Sequence, residues 1–258
     1  MWLRCSTRPI SGPLQIDSHM RVVQDWDQQL LETWRDCDDP QAVLSVYPNP
    51  FKKPCVLHQE SLQVMAADRF DDYGILKFQG ISRYRLPDQQ PEKPLTSAFI
   101  AGGFLFGPGR IAADVPCDPK LYFHGEEIAI SVRLWTHGCN IYCRHRLLLF
   151  HQYKSTAADG DSSATHWADL SDWFTLNRRA LVRVHALLGS IDQAPASLAP
   201  STDDVDDLNH YWLGNKRSLE AFQRWTGVNF DQQTISDEAR SGRFGNSPAY
   251  TERTIETK

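Results

Sequence analysis

The chain carries no cationic run, no long apolar stretch and no Cys-x-x-Cys pair, and each absence removes a class of function. Its 27 Lys and Arg are scattered among 32 Asp and Glu, for a formal net charge of −5. A nucleic-acid binder working through a basic patch is excluded, because displacing phosphate counterions needs clustered positive charge. Apolar stretches such as 147–150 fall far short of the roughly 20 residues of a spanning helix, so no membrane span is expected. The six cysteines (Cys5, Cys37, Cys55, Cys117, Cys139 and Cys143) show no compact secreted frame, so disulfides are not implied. Residues 1–13 hold Arg4 and Arg8 but no apolar core of signal-peptide length. The chain therefore reads as soluble, non-secreted and cytoplasmic. What is present suffices for one folded domain with a sizeable core: 258 residues, 41% hydrophobic and 11% aromatic, with eight Trp mostly at helical spacings.

The pattern along the chain alternates strand and helix. Leu14-Gln15-Ile16 is β-prone and runs into Asp17-Ser18-His19, which places those polar residues at the carboxyl end of a strand, where α/β sheets bind ligands. Trp26, Leu30 and Trp34 recur at helical spacing after Asp25, an N-cap candidate. Residues 42–46, 62–67 and 74–78 read as strands, 47–50 as a turn and 87–94 as a polar loop. The apolar segment 98–106 contains Gly102-Gly103, and a glycine pair in a strand marks close approach of backbone or ligand. A helix begins at Glu126 with Ile128, Val132 and Trp135 on one face and Gly138 as its stop. Short strands are expected at 140–143 and 147–151, then a polar, mobile loop at 155–165. A long helix capped at Ser171 buries Leu176, Ala180, Val184 and Leu187 and ends at Gly189. The Pro, Ser and Asp of 193–207 suggest a linker, a last helix follows near 218–225, and 231–258 is expected to be a disordered tail.

Three features bear on chemistry. Asp17 and His19, two apart in extended chain, point to the same side, so one metal ion could meet both. A capping Asp followed by a surface His has the same sequence. His151, at the end of an apolar strand, is a candidate third ligand, although a lone histidine on an apolar face is more often a hydrogen-bonded core residue. Glu126 and Glu127 at a helix start complement the helix dipole, or else accept hydrogen bonds from sugar or acceptor hydroxyls.

Taken in order, the stretches Leu14-Gln15-Ile16-Asp17-Ser18-His19-Met20-Arg21, Trp26-Asp27, Ala101-Gly102-Gly103-Phe104, His124-Gly125-Glu126-Glu127-Ile128 through Arg133-Leu134-Trp135, and His151-Gln152-Tyr153 resemble the cytoplasmic N-acetylglucosaminyltransferases that modify polypeptide hydroxyproline, a family with bacterial relatives. More distantly they resemble the polypeptide N-acetylgalactosaminyltransferases. The resemblance covers residues 14–167, with a weaker echo at 213–230. It implies an α/β GT-A fold, a mixed sheet flanked by helices, that transfers N-acetylglucosamine from UDP-GlcNAc to a polypeptide or glycan acceptor with retention. Asp17, His19 and His151 would bind a divalent metal, manganese, that holds the diphosphate. Gly102 and Gly103 would admit the donor sugar, Glu126 would hydrogen-bond it, and Glu127 would stand second to Glu126. Lys154 takes a position where relatives carry Arg for the diphosphate, keeping the charge without the bidentate fork.

In the resembled families a nucleotide-binding half precedes the Asp-x-His strand, whereas here only residues 1–13 do, and these look unrelated to the motif that follows. The expected organisation is thus an N-terminally truncated GT-A domain: a lead at 1–13, a metal-binding and acceptor part at 14–190, a linker and C-terminal helix at 191–230, and the tail at 231–258. An inactive remnant serving as a binding module is the alternative. A metal-dependent hydrolase built on Asp17, His19 and His151 would leave the two glycine motifs unused.

Overall fold

The computed structural model describes residues 3–4, 12–52, 56–153 and 170–245. In chain order its elements are β1 (Leu3–Arg4), β2 (Pro13–Ile16), β3 (Met20–Val22), α1 (Trp26–Arg35), β4 (Ala42–Leu44), β5 (Asn49–Lys52), β6 (Val56–Leu57), β7 (Ser61–Phe70), β8 (Leu76–Arg85), β9 (Leu95–Ser97) and β10 (Phe104–Phe106). There follow α2 (Ile111–Asp114), α3 (Glu126–Thr136), β11 (Asn140–Cys143), β12 (Leu149–His151), α4 (Trp173–Leu188), α5 (Leu219–Thr226), β13 (Val228–Asn229), β14 (Thr234–Ile235) and α6 (Asp237–Ser241).

The main sheet is mixed, with strand order β1-β2-β10-β4-β11-β9, and a second sheet runs β3-β12-β5-β6. Side chains alternate across the main sheet as a period of two requires. Leu44, Phe104, Phe106 and Cys143 face the larger core, while Val43, Leu105 and Ile141 face a smaller one with Ile111, Ile130 and Leu134. Both faces are thus covered, which explains the near-continuous apolar runs of these strands. Helix α3 is buried without interruption from Ile128 to Thr136. Its first residue is reached through Gly125, whose φ of 82° suits glycine and whose missing Cβ would lie 2.7 Å from a Val184 methyl on α4.

Several strand expectations change. The strands near Leu62 and Gly74 form a separate antiparallel hairpin, β7 with β8, rather than joining the main sheet. The strand ending at His151 belongs to the second sheet. Residues 49 and 50, expected as the end of the turn at 47–50, instead open β5, where Asn49 is buried and both pair in parallel with β12. Asp25 does occupy the N-cap of α1, but in a left-handed conformation with no side-chain capping bond. The N-cap of α4 is Asp172 rather than Ser171.

The stretch 193–207 is not a loose linker. Asp204 within it is 1% exposed and meets Arg178 of α4. Arg183 of α4, fully buried, donates to Asp118 at 2.8 Å and to the carbonyls of Asp204 and Asp206. In the expected tail, 231–245 is ordered: α6 caps on Ser236, Ala239 is buried, and Phe244 packs against Phe99 and Trp225. Residues 246–258, like the loop expected at 155–165, lie outside the described residues. Among the described residues no helix is long and apolar enough to cross a membrane.

Candidate active site

The seam between the two sheets explains why distant motifs meet. The chain leaves the main sheet at Ile16 and enters the second at Met20, so Asp17-Ser18-His19 is the crossing. Register then does the rest. Phe104 pairs with Ile16 on one side, which sets Gly103 beside Asp17, and His151 pairs with Met20 on the other. Backbone bonds close the corner, from Asp17 N–H to the Gly103 carbonyl at 3.3 Å and from Gln152 N–H to the His19 carbonyl at 3.0 Å.

A cavity of about 430 Å³ opens at this corner. Asp17, Gly102, Gly103, Glu126, Glu127 and His151 all line it, together with Gln15, Tyr47, Lys77, Phe123 and Tyr153. Asp17 Oδ2 lies 3.2 Å from His151 Nε2. That hydrogen bond holds the Asp17 carboxyl below its ordinary value against the opposing effect of burial, with the His151 and His19 charges adding to it. A Cβ on Gly103 would lie 2.7 Å from the same Asp17 oxygen, so only glycine leaves the carboxylate its place.

The acids at the start of α3 differ in role. Glu127 accepts from Gly102 N–H at 2.8 Å and from the Tyr47 hydroxyl at 2.7 Å, one bond to each oxygen. Burial pushes its pKa up, opposed by those two donors and by Lys77. Glu126 has its pKa raised by burial first, then by Glu127 and Asp17. The helix dipole favours the anion at this position, while partial desolvation beside two carboxylates opposes it, and the net shift is upward. Tyr47 is raised by burial and by Glu127 and therefore stays a hydroxyl donor.

Two neighbouring ligands bound to a divalent ion at about 2.1 Å stand about 3 Å apart, and the Asp17–His151 contact has that separation. His151 Nδ1 is buried without a hydrogen-bond partner. The His19 ring centroid is 6.3 Å from that of His151, at the edge of the roughly 6.4 Å that two imidazoles on one ion can span, and its Nδ1 meets Ser18 Oγ at 3.2 Å. Among the described residues no three His, Cys, Asp or Glu side chains close on one point. The Asp17–His151 pair suits a hard-to-borderline ion such as manganese, and exposed His19 does not close on it in this arrangement. Lys154 lies outside the described residues.

Sequence reasoning missed Tyr47, Lys77 and Gln15. Tyr47 stands in the stretch read as a turn, and Lys77 comes from the hairpin. Gln15 sits one residue inside the recognised strand and donates to the Gly102 carbonyl at 2.7 Å.

A family model described as glycosyltransferase (GlcNAc) matches residues 12–232. The chain belongs to that glycosyltransferase family. No curated protein matches it. Among solved structures, it is similar to a crystal structure of GalNAc-T7 with UDP, GalNAc and Mn2+, with a TM-score of 0.55 and 15% identity over 83% of this chain. The chain spans 39% of the length of that relative. At this identity the likeness carries the fold: the mixed α/β arrangement is that of a GT-A glycosyltransferase.

Proposed function

We propose that the chain transfers N-acetylglucosamine from UDP-GlcNAc to a polypeptide hydroxyl, of hydroxyproline or of Ser or Thr, with retention and with a divalent metal. The observation that carries this reading is the single cavity lined jointly by Asp17, Gly102-Gly103, Glu126-Glu127 and His151, which come from four separate stretches of the family match. The UDP, GalNAc and Mn2+ of the GalNAc-T7 structure support a nucleotide-sugar donor and manganese.

Charge supports the metal independently. Among the described lining residues Asp17, Glu126 and Glu127 face Lys77 as the lone Lys or Arg, so an anionic diphosphate needs a further cation to enter. Asp17 and His151, joined by His19, would hold that ion. When bound, it offsets the charge of the departing diphosphate. Glu126, which has no protein hydrogen bond among those of the described residues, lines the cavity and accepts from a donor-sugar hydroxyl, while the Gly102-Gly103 turn lets the sugar lie against backbone. In a same-face displacement the acceptor oxygen bonds to the anomeric carbon as the bond to the phosphate oxygen breaks. The bonding pair stays with the phosphate, which takes the hydroxyl proton.

A screen of UDP-sugars with Mn2+ and hydroxyproline- or Ser/Thr-containing peptides tests the reading. Sugar transferred from UDP-GlcNAc to peptide, detected by mass spectrometry, is the expected result. UDP binding without turnover of any donor would favour the binding-module alternative.

A further inference from the structure

Tyr47 and Glu127 form a clamp on the glycine turn. One Glu127 oxygen accepts from Gly102 N–H and the other from the Tyr47 hydroxyl, at 2.8 and 2.7 Å. The Gly102 carbonyl on the other side of the turn accepts from Gln15 at 2.7 Å, and the Gly103 carbonyl accepts from Asp17 N–H. The Tyr47 hydroxyl therefore connects, through one carboxylate and one turn, to the backbone of the Asp17 corner. Each Glu127 oxygen accepts from one protein donor, so two of the carboxylate's roughly four acceptor sites are taken and its position is fixed between the turn and Tyr47. Glu126, its neighbour on the same cavity, has no such engagement among the hydrogen bonds of the described residues.

We infer that Tyr47 is a positioning residue for sugar transfer, acting through Glu127 to hold the Gly102-Gly103 turn, and that Glu127 belongs to this clamp rather than to the group that binds substrate. The inference rests on the transferase reading and refines it. The clamp joins residues 80 positions apart, Tyr47 from the loop after β4 and Glu127 from the first turn of α3. It shapes the wall on which the sugar would lie, whereas the metal ligands lie on the other side of the turn. Loosening it should then affect turnover of the sugar donor more than binding of UDP alone.

The experiment compares Tyr47→Phe, Glu127→Gln and Glu127→Ala with the wild-type chain, using UDP-GlcNAc turnover with Mn2+, UDP binding by calorimetry, and hydrogen exchange at the Gly102 amide. Glutamine can still accept from Gly102 with its oxygen and donate to Tyr47, whose hydroxyl can turn to accept. Glu127→Gln should therefore stay within about threefold of wild-type turnover, while Glu127→Ala and Tyr47→Phe lose about tenfold or more in kcat. UDP affinity should stay within about twofold in all of them, and Gly102 exchange should quicken in Tyr47→Phe and Glu127→Ala only. A Glu127→Gln variant as inactive as Glu127→Ala would overturn the clamp and make the Glu127 charge a direct participant. Unchanged kcat in Tyr47→Phe would remove its positioning role. A wild-type chain that turns over no UDP-sugar would overturn the transferase reading and with it any part of Tyr47 in transfer. Gly102 exchange would still report whether the clamp itself exists.

Discussion

Replacing Gly103 with alanine places one methyl group between two functional partners. The new Cβ would stand 2.7 Å from Asp17 Oδ2 and 3.4 Å from its Cγ. Ordinary contact begins nearer 3.5 Å, so the carboxylate must retreat by roughly 0.8 Å. The oxygen displaced is the one that meets His151 at 3.2 Å, and it cannot keep its place between the methyl group and the imidazole. Losing a charge-assisted bond of this kind costs about 1.5–3 kcal/mol, or roughly ten- to a hundredfold in turnover. The fold should hardly notice. The Asp17 side chain is 51% exposed and can swing into solvent, so the stability change stays below about 1 kcal/mol. Gly125→Ala is the matched control, because its φ of 82° and the Val184 methyl at 2.7 Å leave no soft neighbour to move. Left-handed strain and overpacking together cost roughly 2–5 kcal/mol there. UDP-GlcNAc turnover and thermal unfolding of the two variants should therefore separate, the first losing activity and the second stability. Wild-type turnover in Gly103→Ala, or a melting temperature lowered as far as in Gly125→Ala, would refute the reasoning.

Three further outcomes follow from the packing and charge. Arg183→Met strands the Asp118 carboxylate in the core, where its side chain is 1% exposed, and should cost about 3–5 kcal/mol in urea unfolding; a loss below about 1 kcal/mol would mean that 193–207 is not held as described. Phe222→Ala, which removes a fully buried ring lying against Phe99, Trp135 and Phe230, should cost about 3–5 kcal/mol, since α5 is part of the main core. Two sets of groups act in opposite senses between pH 7 and pH 5: the acids of the site favour the lower pH, while His145, lowered by burial and by Arg146, costs stability as pH falls below about 6.5. Burial raises Glu126 and Glu127, so the folded chain binds their protons more tightly and gains stability as pH falls from 7 toward about 5. Asp204 acts in the opposite sense: burial would raise it, but Arg178 and Ser201 hold it below its ordinary value, so its contribution is present above about pH 4 and lost as pH falls through the folded value. A Glu126→Gln, Glu127→Gln double variant whose urea midpoint changes between pH 7 and pH 5 as the wild type's does would contradict the part given to the two acids.

The parts of the site that could be read from the sequence are those whose chemistry is local. Asp17-x-His19, Gly102-Gly103 and Gly125-Glu126-Glu127 each announce themselves within a few residues, and the 3.6-residue period of Ile128, Val132 and Trp135 found α3. Tyr47 could not be found this way, since its partner is 80 residues away and Pro48 and Pro50 beside it signal a turn. The same limit hid the ordering of 193–207. Pro, Ser and Asp suit a linker as well as they suit tight turns, and the difference lies in Arg178 and Arg183, whose partners no periodicity of α4 reveals. Residues 231–245 looked disordered for want of apolar density, yet Ala239 and Phe244 suffice to seat α6 because it docks on an existing core. Sheet membership was the other loss: β7 and β8 have strand patterns as good as those of the main sheet, and pattern does not say which strands pair.

The most direct test of a metal-assisted transferase at the Asp17–His151 corner is UDP release from UDP-GlcNAc, in the presence of a hydroxyl-bearing peptide, by the wild-type chain and by Asp17→Asn, each with Mn2+ and with EDTA. The wild-type chain should release UDP only with Mn2+, and Asp17→Asn should lose at least about tenfold, because the amide cannot supply the carboxylate charge at the ion. Release that persists in EDTA, or that survives Asp17→Asn at the wild-type rate, would contradict that assignment.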